Sequence, residues 1–137
     1  MTVPLHATTS GLARDLVFLA VAGDDALGSL GVGYATVRMT ADDVPATGVP
    51  DGALVLHWSV PEPATWGRHR QRVCLSVAGH RPPAVVAAVL ERAGAVVCGL
   101  AAPHEPIVAV TPSSPLVQLG VAGRAVISGY DVVTRAG

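Results

Sequence analysis

The stretch Arg72–Gly94, RVCLSVAGHRPPAVVAAVLERAG, decides how this chain is read. Its opening alternates, with Val73, Leu75 and Val77 in one phase and Cys74 and Ser76 in the other. That predicts a half-buried strand over Arg72–Ala78. Pro82 and Pro83 then open a helix over Ala84–Ala93, where proline is tolerated because the first helical N–H groups lack partners anyway. Val85, Val86, Val89 and Leu90 recur at helical spacing as its buried stripe, Glu91 and Arg92 make its wet side, and Gly94 reads as its stop.

Outward from this core, short apolar runs predict further strands. Downstream these are Ala95–Ala101, Ile107–Thr111, Leu116–Val121 and Ala125–Thr134, punctuated by Pro103, Pro106, Pro112 and Pro115. Upstream, Asp15–Ala22 reads as a buried strand stopped by Gly23, Asp24–Gly33 as a glycine-rich segment with room for one helical turn, and Tyr34–Thr40 and Ala53–Val60 as strands. Ala41–Gly52 and Pro61–Gly67 read as loops, and Met1–Ser10 as an extended polar arm. Ala20-Val21-Ala22 imitates a signal-peptide cleavage site, but the apolar run is short and Asp15 abuts it, so it is assigned to the fold.

The expected class is α+β: one domain over residues 1–137, with a small mixed or mostly antiparallel sheet and one clear helix at 82–93. Val17–Gly23 also echoes Val73–Gly79 at five of seven positions, which suggests two β-α-β-β-β-like halves, 15–61 and 72–127. In that order of elements Arg72–Val121 resembles a module of the glyoxalase and bleomycin-resistance superfamily. The helix between two strands is likewise similar to half of a regulatory ACT-type fold. The first resemblance implies a metal-free binder or enzyme, because the positions where that superfamily places metal ligands hold Asp15, Arg72 and Gln118 here.

Composition removes several chemistries. All nine bases are arginine, with no lysine and no asparagine. A lysine Schiff base, a lysine-dependent phosphate loop and N-glycosylation are therefore excluded. The net charge of −1 gives no general attraction to nucleic acid or anionic membrane. Cys74 and Cys98 read as buried thiols of a reducing, cytoplasmic compartment. Hydrophobic residues make up 50% of the chain and charged ones 14%, against roughly 25% in an ordinary domain. A surface so thinly charged predicts a homo-oligomer.

Candidate site residues fall in four places. Gly28–Gly33 carries its glycines in the reverse of the dinucleotide-binding order, with Asp24 and Asp25 beside it, and reads as a turn. The stretch from His57 to Arg72 holds both tryptophans, Trp58 and Trp66, with Arg68, His69, Arg70 and Arg72. Planar guanidinium groups beside an indole suit an anionic, partly apolar ligand; the alternative is a basic edge strand with the tryptophans filling core. His80 and Arg81, before the helix, are placed to meet a negative group, or else form a solvated loop. His104 and Glu105, between Pro103 and Pro106, have the types for a general base and acid, or form a polar loop tip. No histidine or cysteine spacing indicates a metal, and no cofactor is expected. The leading expectation is a cofactor-free isomerase, cyclase or lyase acting on a polar or anionic small molecule. A non-catalytic small-molecule binder and an assembly protein are the alternatives.

Overall fold

A computed structural model describes residues 9–41, 52–64, 67–79, 81–102, 106–113, 116–120 and 123–135. It is an α+β arrangement in the order α1 (Thr9–Ala22), α2 (Asp25–Ser29), β1 (Val37–Ala41), β2 (Leu54–Trp58), β3 (Glu62–Ala64), β4 (Arg68–Val77), α3 (Pro83–Cys98), β5 (Ile107–Pro112), β6 (Leu116–Gly120) and β7 (Gly123–Arg135). The sheet runs β1-β2-β4-β7-β5, with β3 continuing the β2 side of β4 and β6 pairing the first half of β7. Only β1 and β2 pair in parallel, so the sheet is mixed.

Period-two alternation sorts the strands into two faces. Leu54, Leu56 and Trp58 of β2, Gln71, Val73 and Leu75 of β4, and Val132 and Thr134 of β7 are buried. The registers Trp58↔Val73, Leu56↔Leu75 and Gln71↔Val132 place them on one face, against α1 and α3. The helices contribute Ala13, Val17 and Val21 from α1 and Val89, Leu90, Ala93 and Val97 from α3 to the same core. The opposite face has no helix packed on it among the described residues.

Three expectations need correction. Asp15–Ala22 is helix, not strand. A continuous apolar run lacks the period that separates the two, and here Ala13, Val17 and Val21 lie four apart on one helical face. The echo between Val17–Gly23 and Val73–Gly79 is therefore one of residues alone: the first copy is α1 and the second β4. Ala95–Ala101 is not a strand either, since α3 runs through Gly94 to Cys98. Gly94 stops nothing; the Tyr130 hydroxyl packs into the space where its side chain would stand. Smaller shifts follow the hydrogen bonding. Thr36 ties the turn before β1 through its hydroxyl, which accepts from Gly33 N at 2.9 Å, so the strand begins at Val37 rather than Tyr34. Pro61–Gly67 contains β3, and the opening arm expected over Met1–Ser10 falls within the described residues only at Thr9 and Ser10, which begin α1.

Two polar contacts seat the helices. Arg14 of α1 donates from Nε to Gln71 Oε1 at 3.0 Å and from Nη2 to the Ser59 carbonyl at 3.1 Å, with its guanidinium 5.8 Å from the Trp58 ring centroid. Gln71 is a buried polar residue in the middle of the sheet, and Arg14 gives its carbonyl oxygen a donor. Asp24 caps α2, accepting from Leu27 N at 3.0 Å, and takes a two-point contact from Arg92 of α3 at 2.9 and 2.7 Å. The Arg92 hydrogen bonds, foremost, hold the Asp24 carboxyl down at about 2, from an ordinary 3.8. A depressed folded-state pKa means stability that is present above the ordinary value and lost as pH falls from about 3.8 towards about 2. Urea midpoints at pH 5 and pH 2.5 should therefore converge more in Arg92→Gln than in the parent. An identical acid loss in both would show that the pair contributes nothing.

Candidate functional site

The row of arginines on β4 is the best-defined candidate. Arg68, Arg70 and Arg72 are exposed in alternation with His69 and Gln71, so all three stand on the helix-free face. β4 is flanked by β2 and β3 on one side and by β7 on the other. A basic row that guards a sheet edge needs an edge strand, and this strand is central. Arg68 lies directly opposite Arg135 of β7.

Beside this row Ser59, Glu62, Arg70, Gln71, Arg72 and Asp131 line an open cleft of about 250 Å³. Both carboxylates touch arginines by single contacts. Arg72 Nε meets Asp131 Oδ1 at 3.2 Å, and Arg70 Nη2 meets Glu62 Oε2 at 3.6 Å, with the arginine side chains half exposed. Exposed one-point pairs of this kind contribute about 0–1 kcal/mol, so an incoming anion competes with them easily. Ser59 Oγ accepts from Arg72 N at 2.7 Å, which leaves its hydroxyl proton for another acceptor. The cleft can thus offer guanidinium donors and one hydroxyl to a small anion.

The structure separates the other candidates. Trp58 is 1% exposed and lies on the helix face, opposite the arginine row, where it fills core. Its Nε1 is buried with no hydrogen-bond partner among the described residues. Arg81 donates from Nη1 to the Leu30 carbonyl at 2.8 Å, and its guanidinium covers Gly31 and Gly52, both at positive φ. It clips the α2–β1 turn to the start of β2. The helix behind it offers an anion little, because Pro82 and Pro83 carry no N–H and the Val85 and Val86 amides bond the Pro82 carbonyl. Trp66, His80, His104 and Glu105 lie outside the described residues. The ends of the His104–Glu105 loop are described: Ala102 N donates to Ile107 O at 3.1 Å, and Arg135 N to Pro106 O at 3.2 Å.

Arg70 and Arg72 stand out in the sequence as part of the arginine row, whereas Ser59, Glu62 and Asp131, which line the cleft with them, do not. Asp131 carried one usable signal, the single charge in the run Ala125–Thr134; its pairing with Arg72 is a matter of register. No group of three or more His, Cys, Asp and Glu residues suited to a metal exists among the described residues. No described helix is long and apolar enough to cross a membrane. No protein-family model matches the chain, and a search of curated proteins finds no significant relative.

Proposed function

We propose that the protein binds a small anionic molecule, a carboxylate or phosphate ester, in the cleft beside Arg70 and Arg72. The observation that carries this reading is the placement of three consecutive outward arginines on a central strand, where no edge-protecting role explains them. The cleft, at about 250 Å³, suits a ligand smaller than a drug-sized molecule, for which pockets of roughly 300–1,000 Å³ are usual. Cys74 and Cys98 are in no disulfide, which fits a cytoplasmic setting, and no nucleic acid, membrane, metal or cofactor is needed. Self-association belongs to the same proposal. Leu12, Leu16 and Leu19 are exposed on the side of α1 away from the core, a second apolar stripe on one helix.

Calorimetric titration with citrate and with inorganic phosphate at low salt tests the site. Each charge-assisted bond contributes roughly 1.5–3 kcal/mol, so Arg72→Ala and Arg70→Ala should each weaken affinity about tenfold to a hundredfold. Added salt should weaken the parent as well, because the arginines are exposed. Failure of either anion to bind, or unchanged affinity in both variants, removes the reading. Sedimentation equilibrium on the same samples should give a dimer or larger, and a single-chain mass removes the self-association. An acid–base enzyme using His104 and Glu105 is the second reading, and it rests on the chemistry of those two side chains. His104→Ala would then abolish turnover of a bound substrate without weakening its binding.

A further inference from the structure

The cleft beside the arginine row is not simply basic: Arg70 and Arg72 share it with Glu62 and Asp131, so its formal charges cancel. Register fixes their order on the helix-free face. Ser59, just past β2, stands beside Arg72 through the bond from Ser59 N to Arg72 O at 2.8 Å, and Arg72 stands opposite Asp131 of β7. Glu62 of β3 stands opposite Arg70 in the next row, two residues back along β4 and roughly 7 Å away at the usual strand rise. The arginines therefore occupy the middle of the cleft, with one carboxylate on the β3 side and the other on the β7 side.

The two carboxylates differ in freedom. The Glu62 side chain is 65% exposed and meets Arg70 at 3.6 Å, so it can turn into water when Arg70 takes another anion. The Asp131 side chain is 27% exposed, is short, and sits on a strand flanked by β4 and β5. It stays in the cleft. A plain anion that takes Arg72 from Asp131 therefore places two negative charges side by side, which costs affinity. A ligand with a cationic group next to its anionic one avoids that cost. Its anion takes the guanidinium donors while its cation takes the carboxylate that they release. Arg72 and Asp131 are direct cross-strand neighbours, so the two ligand charges must be joined by a short spacer. Ser59 Oγ accepts from Arg72 N at 2.7 Å, which directs its own proton to the anionic side.

We propose, resting on the anion-binding reading above, that the ligand of this cleft is a small zwitterion: a carboxylate or phosphate joined by a short carbon spacer to a primary ammonium. The anionic group lies on Arg70 and Arg72, and the ammonium lies on Asp131. Asp131 is then the specificity-determining residue. It rejects a plain anion through an unpaired like charge and accepts the zwitterion through a charge-assisted hydrogen bond.

Two matched pairs of probes isolate the ammonium: β-alanine against propionate, and phosphoethanolamine against ethyl phosphate. Each is titrated calorimetrically into the intact protein at one low ionic strength. In at least one pair the ammonium-bearing member should bind about tenfold tighter, and the pair that shows this identifies the anionic group as carboxylate or phosphate. Asp131→Asn should weaken the zwitterion about tenfold and tighten the plain anion about twofold, two changes of opposite sign that a damaged fold would not give. Glu62→Gln should keep the preference to within about twofold, because that side chain already stands in water. Arg72→Ala should weaken both members of the pair. Equal affinity within both pairs overturns the zwitterion, while binding of citrate and phosphate in the same samples would leave the anion site standing. A preference that survives Asp131→Asn, or is lost in Glu62→Gln instead, overturns the placement of the ammonium on Asp131. If the four probes, citrate and phosphate all fail to bind, the anion site falls and the zwitterion with it.

Discussion

Val89→Asp is expected to destabilise the protein by about 3–5 kcal/mol, the range for an uncompensated buried charge. Val89 is 0% exposed and belongs to the core cluster where α3 meets the sheet. The substitution removes an apolar side chain that contributes roughly 1.5–3 kcal/mol by burial, and it puts a carboxylate where no described partner can reach it. For a domain of this size that corresponds to a fall in Tm of about 10–20 °C. Glu91→Ala, on the exposed side of the same helix, should stay within about 0.5 kcal/mol. A Val89→Asp protein that melts within a few degrees of the parent by circular dichroism would mean that α3 does not face the sheet as described.

Gly94→Val should cost at least 3 kcal/mol, and Gly94→Ala about 1–3, the usual range for overpacking. At an ordinary helical glycine the sign is opposite, because alanine is better than glycine in a helix by about 1 kcal/mol. Here the Tyr130 hydroxyl fills the space beside the Gly94 Cα, and α3 sits against β7 only because that residue has no side chain. Burial, with the Cys98 thiol nearby, raises the Tyr130 pKa, in keeping with a phenol tucked under the helix. The contact is tested by a double-mutant cycle in chemical denaturation. Tyr130→Val should make Gly94→Ala far less costly, with a coupling of about 0.5–3 kcal/mol. If Gly94→Ala stabilises the protein by itself, the close approach of helix and strand is refuted.

Much of the second half of the fold was legible because its signals are local. Proline at 82 and 83 marks a helix start by its chemistry alone, and Val85, Val86, Val89 and Leu90 mark the buried side by spacing. The alternation of Val73 and Leu75 with Cys74 and Ser76 gives the two faces of β4 in the same way. Gly94 misled because a glycine late in a helical pattern has two physical causes, a left-handed stop and a close approach. Only the position of Tyr130, thirty-six residues on, distinguishes them. The arginine row was legible as a row, since residues two apart on a strand share a side, but whether its strand was edge or centre was not.

Side-chain type and short-range period were enough to exclude lysine chemistry and N-glycosylation, to open α3 at its prolines and to assign the residues of each strand to a face. Tertiary structure alone decided that VFLAVAG is helix in α1 while VCLSVAG is strand in β4. It also decided that Asp131 stands against Arg72, and that His57 stands between Thr40 and Cys74. The physical reason is the same in each case. Period assigns a residue to a face, but its neighbour across the sheet is set by register between segments distant in the chain, and an apolar run without period takes its conformation from what it packs against.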